Sequence, residues 1–217
     1  MKSTLNIMKF TLNKKVFLLA LAGLTLATAN AQVQFGVKAG ANISGFTGSD
    51  ASGTSSLTSF NAGGLVKIPI SDAFSFQPEL VYSGEGAKST TTDGNTGNNI
   101  NVSFPLHYLN VPLLFKYTRP FGVYTETGPQ IGFLMSAHEK AEGVSVDVKS
   151  TFSSTNFSWA FGLGYISPVN LGIDFRYNLG LTNIGKAQDG NPAPNLKTGS
   201  FQIGIFYMFG DSGNERD

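Results

Sequence analysis

The sequence predicts an all-β protein, an eight-stranded antiparallel up-and-down β-barrel that spans a membrane. One observation is that long stretches alternate between apolar and polar residues at the spacing of two that marks a β-strand. These stretches exceed the usual soluble strand of about 5–6 residues, and at a tilt of about 45° they are long enough to cross a bilayer. The other observation is that the links between the stretches are alternately long and short, as in membrane barrels.

The clearest alternating stretch covers residues 106–117. One of its faces is wholly apolar or aromatic, with Leu109, Val111, Leu113, Phe115 and Tyr117. The opposite face carries Leu106, Tyr108, Asn110, Pro112, Leu114 and Lys116. A soluble barrel would turn its apolar face inward and leave charges outside. Here the polar faces hold most of the strand charges and many glycines, which favours a crowded interior and a lipid-facing exterior.

Seven further strands show the same alternation. In chain order they are predicted at residues 33–44, 59–70, 73–85, 121–136, 157–165, 170–182 and 201–209. The long links, rich in polar residues and glycine, are predicted at residues 45–58, 86–103, 137–155 and 185–197. We expect the long links on the extracellular side and the short turns on the periplasmic side. Pro78, Pro112 and Pro129 fall inside strands, where proline is usually confined to edges and bulges. A bulge at any of them would shift the inward and outward phase locally, so the sequence leaves the phase open at these three positions.

Four motifs resemble, in order, the strands of the PorT-like, porin-like outer-membrane β-barrel family. They are FGVKAGANIS at 35–44, YLNVPLLFKY at 108–117, GPQIGFL at 128–134, and DFRY at 174–177 followed by GLTN at 180–183. The resemblance covers residues 32–209 and implies an eight-stranded barrel in a Gram-negative outer membrane. It implies no catalytic residue, because the family has no common one.

The first 31 residues are interpreted as a cleaved secretory signal peptide. Four lysines precede an apolar run at 16–26, which is followed by the cleavage motif Ala29-Asn30-Ala31. The apolar run is too short for a membrane-spanning helix of about 20 residues. We therefore expect the mature chain to begin at Gln32, with the barrel at 32–209 and a polar periplasmic tail at 210–217.

Composition excludes several classes of function. The leader holds four of the 15 basic residues and none of the 14 acidic ones, so residues 32–217 carry a net charge of −3. That balance argues against a nucleic-acid partner. The chain has no cysteine, which removes disulfides, haem attachment and thiolate metal sites. No cofactor and no metal ion are expected.

The candidate site is a set of charged residues that the alternation turns into the lumen. Its members are Lys38, Lys67, Glu79, Lys116, Glu126, Asp174 and Arg176. The interior of an eight-stranded barrel is just wide enough for side chains to fill, and buried charges there must pair. We interpret the set as a structural ion-pair network. The alternative is a path for protons or small solutes.

An enzyme is not predicted. His107 and His138 are the only histidines, and Ser103 lies four residues before His107 on the same strand face. That spacing separates the two by about 13 Å at about 3.3 Å per residue, too far for a direct nucleophile–base hydrogen bond. No phosphate-binding loop or dinucleotide fingerprint is present.

The expected function is that of an integral outer-membrane protein, non-enzymatic, acting as a surface scaffold or as a binding barrel through its loops. A narrow pore for small solutes or ions is the alternative. Expected partners are outer-membrane lipid, the barrel-assembly machinery, and an extracellular or periplasmic protein at the loops. The last strand resembles the C-terminal signal by which such barrels are inserted, carried by Gln202, Gly204, Tyr207 and Phe209.

Overall fold

The computed structural model describes residues 33–92, 97–188 and 190–210. Its described residues form nine antiparallel strands and one short 3₁₀ helix at Lys149–Thr151. The strands are β1 Gln34–Thr47, β2 Thr54–Pro69, β3 Phe74–Thr92, β4 Asn99–Thr118, β5 Val123–Ala141, β6 Val144–Asp147, β7 Thr155–Ile166, β8 Leu171–Gly180 and β9 Lys197–Phe209. Within this part of the chain, no helix is both long and apolar enough to cross a membrane.

Eight of these strands close into a ring. Each pairs with its neighbour in sequence, β5 pairs with β7, and β1 pairs with β9 to complete the circle. The short β6 pairs only with the outer end of β5 and lies outside the ring. The eight-stranded antiparallel barrel is therefore confirmed. Closure leaves no sheet edge, which a bilayer requires because it offers no water to unpaired backbone groups.

The predicted inward and outward faces agree with the structure on every strand of the ring. On β4, Phe115 is 55% exposed, while Leu114 and Lys116 on either side of it are buried. Each strand of the ring presents at least one large apolar side chain outward, such as Phe35, Phe60, Leu80, Phe115, Phe133, Phe161, Phe175 and Phe201. An apolar exterior around a polar interior is the arrangement that a lipid environment stabilises.

The prolines do not shift the strand phase, which the sequence had left open at these positions. Pro78 pairs with Leu113 and, three residues further along each strand, Val81 pairs with Asn110. Pro129 likewise keeps the register of its neighbours. Each strand keeps its residue count past the proline, so the alternation continues unchanged. The irregularities lie elsewhere, between Ser56 and Asn61 on β2 and between His107 and Tyr108 on β4.

Much of three predicted loops is strand, which corrects the sequence prediction. The link predicted at 86–103 continues β3 and β4 as a paired hairpin as far as Thr92 and Asn99. The link at 45–58 loses residues to β1 and β2, and the link at 137–155 contains the end of β5, all of β6 and the 3₁₀ helix. Threonine favours strands, and above the membrane both faces of a hairpin meet water, so polar composition alone does not end a strand. The fourth predicted link, 185–197, has no strand before Lys197 among its described residues.

The predicted signal peptide at 1–31 lies outside the described residues, as does the predicted tail beyond Gly210.

Candidate functional site

The centre of the lumen is the guanidinium of Arg176 on β8. It is 2% exposed and bridges the carboxylate of Glu79 on β3, the opposite strand of the ring, and that of Glu126 on β5, which β7 separates from β8. Its Nη1 and Nη2 donate to the two oxygens of Glu79 at 2.8 and 2.9 Å, and its Nε donates to Glu126 Oε1 at 2.8 Å. The fork geometry of arginine suits such a bidentate contact, which fixes the side chain as well as its charge.

Two lysines complete the network on either side of Arg176. Lys38 on β1 donates to Asp174 Oδ2 at 2.9 Å and lies 3.6 Å from Glu79 Oε2. Lys116 on β4 lies 3.4 Å from Glu126 Oε2 and 3.6 Å from the ring centroid of Tyr124, a cation–π contact.

We call these six residues, Lys38, Glu79, Lys116, Glu126, Asp174 and Arg176, the lumen network. It has three cations and three carboxylates, all buried, and it links β1, β3, β4, β5 and β8 across the interior. Its formal charge is zero. This balance allows six charges to be buried together. Burying a single ion without a partner of opposite charge costs roughly several kcal/mol of desolvation free energy.

Lys67, the seventh predicted member, is not in the network. Among the described residues it makes no ion pair, and it borders a cavity of about 10 Å³ at the periplasmic end of the lumen. Gln77, Lys116, Tyr124 and Phe206 also line that cavity. Its volume is close to the minimum needed for one water molecule.

Lumen-facing glycines make room for the network. A Cβ added to Gly162 would lie 2.7 Å from the Glu126 carboxylate, and one added to Gly204 would lie 2.5 Å from Asp174 Oδ1. Such distances are too short for real contacts, so any larger residue at either position would displace a charged partner. Crowding in the lumen therefore explains Gly204 of β9 and the alternating glycines of β7, Gly162 and Gly164.

Above the network the lumen is filled by asparagine and serine side chains around one carboxylate, that of Glu85. Asn42 donates to Ser83 Oγ at 2.8 Å, and Asn110 donates to Glu85 Oε1 at 3.0 Å. Ser83 also donates to Glu85 Oε1, at 3.2 Å. Glu85 is thus buried among hydrogen-bond donors, with no cation beside it among the described residues.

An apolar cluster closes the extracellular end, and we call it the upper plug. It consists of Leu106, Tyr108, Leu134, Ala137, Phe152 and Ile184, with Phe46, Val148 and Leu196 packed against it. Phe152 and Ile184 come from segments outside the strands of the ring. Their side chains pack against residues near the extracellular ends of β4 and β5.

Residues 28–185 match the family model described as the outer membrane protein beta-barrel domain. The chain belongs to this family. It is therefore an outer-membrane β-barrel protein of the Gram-negative cell envelope. No curated protein matches the chain.

Two solved structures similar to this chain are surface protein A of Neisseria and the attachment invasion locus protein Ail of Yersinia pestis. The neisserial barrel is 16% identical with a TM-score of 0.51, over 81% of this chain and 97% of its own. Ail is 16% identical with a TM-score of 0.43, over 81% of this chain and 98% of its own. At this level of identity the likeness to the neisserial barrel concerns the fold alone.

Some residues of this outer-membrane barrel that shape the lumen were missed from the sequence. Phe152 lies in the predicted polar link at 137–155, and Ile184 lies between the predicted strand ending at residue 182 and the link that begins at 185. The only available signal was a large apolar residue at each position. The ring of Tyr124, which lies under the ammonium of Lys116, was also missed, because the two residues lie on different strands and only their register brings them together.

The two histidines of this outer-membrane barrel lie on its outside, above the apolar belt. Tyr82 Oη and His107 Nδ1 are 2.9 Å apart, and the two rings stack with centroids 5.7 Å apart. His138 pairs with Asp147 across β5 and β6. No group of three or more metal-binding side chains occurs in the described part of the chain.

The four predicted assembly residues occupy both faces of β9. Gln202 and Gly204 face the lumen and Tyr207 and Phe209 face outward at its periplasmic end. The two aromatic rings are 5.4 Å apart and nearly perpendicular.

Proposed function

We propose that this protein is a non-enzymatic surface or scaffold barrel whose lumen is closed by side chains and which acts through its extracellular segments. The observation that carries the proposal is that the interior is filled at two levels. The lumen network crosses the lower half, and the upper plug covers the extracellular end. An ion crossing the barrel would have to separate buried pairs, and removing one partner of such a pair costs about 3–5 kcal/mol.

A narrow pore for small solutes or ions is the second candidate. The feature that favours it is the periplasmic end, where Lys67 and Lys116 line a small cavity beside the lumen network. Charged groups lining a narrow lumen are also what an ion path would use.

Single-channel recording on the purified protein in planar bilayers distinguishes the two functions. We expect no conductance steps from the wild-type barrel. Arg176→Ala should introduce a small cation-selective conductance, because it removes the group between Glu79 and Glu126 and leaves excess negative charge. Lys67→Ala, outside the network, is the matched control and should stay silent. Discrete steps from the wild-type protein that change size in Arg176→Ala would reject the closed scaffold.

The extracellular segments are the proposed binding surface. Support comes from the β3–β4 hairpin, paired out to Thr92 and Asn99, and from β6, which widens the outer end of β5. Replacing residues 89–102 with an Asn-Gly turn shortens the hairpin. From the rest of the ring it removes only the outermost pairings, those of Ser89 with Thr54 and of Val102 with Ala141. We expect cells that display this variant to lose adhesion or partner binding, whereas replacement of 48–53, a short turn, should not change either. Unchanged adhesion for both would mean that these segments are only a solvated cover.

Three finer assignments belong to the same proposal. We place the chain in the PorT-like branch of its family on the four strand motifs given above. We propose that residues 1–31 are removed on export, and that the assembly machinery recognises the end of β9. Lipid of the outer membrane and a protein bound at the loops are the remaining proposed partners, and catalysis is not part of the proposal.

A further inference from the structure

The outer wall of the barrel has a group of basic side chains just above its apolar belt. We call Lys88, Ser103, His107, Lys140 and Lys149 the basic wall. Lys88 lies on β3, Ser103 and His107 on β4, Lys140 on β5, and Lys149 in the 3₁₀ helix that follows β6. None of these residues takes part in the lumen network or the upper plug.

The strand register brings the central three residues side by side. Ser103 pairs with Lys88 on one side and with Lys140 on the other. Since neighbouring strands are about 4.8 Å apart, the two lysine backbones are about 10 Å apart with a hydroxyl residue between them. Both lysines are exposed, and both share the outward face of their strands with the lipid-facing residues below. Two flexible ammonium groups at this spacing can converge on one anionic group.

Two further residues add donors to the same wall. His107 lies four residues below Ser103 on the same face of β4, and its ring is hydrogen-bonded to Tyr82. Lys149 Nζ donates to the carbonyl of Met135 at 2.8 Å. Met135 is the extra residue of the bulge, since His107 pairs with Ser136 and Tyr108 pairs with Leu134. Acidic residues also lie near this wall. Glu139 precedes Lys140 but points to the opposite face of β5, and Glu142 lies in the turn between β5 and β6. Asp147 lies opposite His138 and accepts a hydrogen bond from the backbone N–H of Lys149. On the outward face, Lys88 and Lys140 directly flank Ser103.

The height of the basic wall identifies what it meets. The periplasmic aromatic residue of β4 is Tyr117, and about ten residues of strand lead from it to His107. At about 3.3 Å per residue and a tilt of about 45°, this is about 23 Å along the membrane normal, close to the apolar band of about 25 Å. Ser103 lies about 9 Å higher by the same estimate. His107 is therefore at the outer boundary of the hydrocarbon, and the two lysines lie at the level of the lipid headgroups.

We propose that the basic wall binds the phosphate groups of a phosphorylated glycolipid in the outer leaflet. An outward-facing side chain at this height lies beside the headgroups of the surrounding lipid. The negative phosphate groups of such a lipid complement the positive charges of Lys88 and Lys140. The acyl chains would lie on the apolar belt directly below, where Tyr82 and Phe60 pack together with ring centroids 5.6 Å apart. The site does not depend on whether the lumen is closed.

The test measures how much lipid the detergent-purified full-length protein retains, with native mass spectrometry as the readout. The probes are bisphosphorylated lipid A and the same lipid with both phosphates removed. A lysine beside an anionic membrane surface is worth about a five-fold change in affinity, so wild-type protein should prefer the phosphorylated lipid by roughly 30-fold. Lys88→Gln/Lys140→Gln should lose most of that preference.

The matched control is Lys186→Gln/Lys197→Gln. It removes the same charge from the same end of the barrel, and Lys197 begins β9, the strand diametrically opposite β4 in the ring. This variant should bind as wild type does. Both variants are also run on SDS gels with and without heating. A folded barrel migrates more slowly after heating, so this shift shows that the variant is folded. Equal retention of the two lipids by wild-type protein, an equal loss in both variants, or binding of soluble polyphosphate without lipid A would each overturn the proposal.

Discussion

Arg176→Met is expected to be the most destabilising charge deletion in the barrel. The substitution removes two hydrogen bonds to Glu79, of 2.8 and 2.9 Å, and one to Glu126, of 2.8 Å. Glu79 is then left with Lys38 at 3.6 Å, and Glu126 with Lys116 at 3.4 Å. The variant keeps three buried carboxylates but only two buried lysines, so one negative charge has no partner. Breaking a buried pair in this way costs about 3–5 kcal/mol.

A second substitution should recover part of that loss. Arg176→Met/Glu79→Gln restores a formal charge of zero and keeps both Lys38–Asp174 at 2.9 Å and the contact of Lys116 with its carboxylate. Residues in one network are coupled by about 0.5–3 kcal/mol, so the double variant should be more stable than the sum of the two single losses. The control is Lys67→Met, outside the lumen network, which should change the free energy of unfolding by less than about 1 kcal/mol.

The free energy of unfolding of each variant is measured by urea titration in lipid vesicles. The signal is the fluorescence of Trp159, which lies on the outer face of the barrel. Refolded protein is checked for faster migration on unheated gels. A loss below about 1 kcal/mol for Arg176→Met, together with additive single losses, would refute the reasoning. It would mean that the lumen charges are solvated by water rather than paired with one another, which would favour the pore.

Three further predictions concern the lipid face, assembly and export. Leu113→Arg places a cation on the lipid face near mid-membrane and should cost about 2–4 kcal/mol in unfolding experiments, whereas Tyr117→Arg, at the periplasmic boundary of the same face, should cost about 0–1 kcal/mol; equal losses would contradict the placement of this face in lipid. Phe209→Ala should accumulate unfolded in the periplasm yet still refold from urea into detergent, because burial of one phenylalanine is worth only about 1.5–3 kcal/mol; normal surface levels would count against an assembly signal. N-terminal sequencing of membrane-extracted protein should begin at Gln32, and a chain beginning at Met1 would disprove cleavage.

The strands and their faces could be predicted from the sequence because they are local properties. Side chains along a strand point alternately to opposite faces, so the apolar set at Phe115 and the polar set at Lys116 are separated by backbone geometry alone. The rule holds past Pro112, where the sequence left the phase open and the structure has no change of phase. The alternation of long and short links then fixes the order of the antiparallel strands.

The ends of the strands could not be predicted in the same way. Thr92 and Asn99 pair above the membrane in a segment with no apolar face, so the alternation that marks the other strands is absent there. Phe152 and Ile184 meet in the upper plug, although neither belongs to a strand of the ring. Their contact depends on how the extracellular segments fold back over the lumen.

Which charges pair was decided by the tertiary structure. The sequence placed seven charged residues in the lumen, but only the barrel determines the height and direction of each one. Arg176 meets Glu79 across 97 residues of chain, while Lys67 remains outside the lumen network at the periplasmic end. Local alternation determines whether a side chain points inward. The partner it finds there depends on the register between strands, which is set only when the sheet closes.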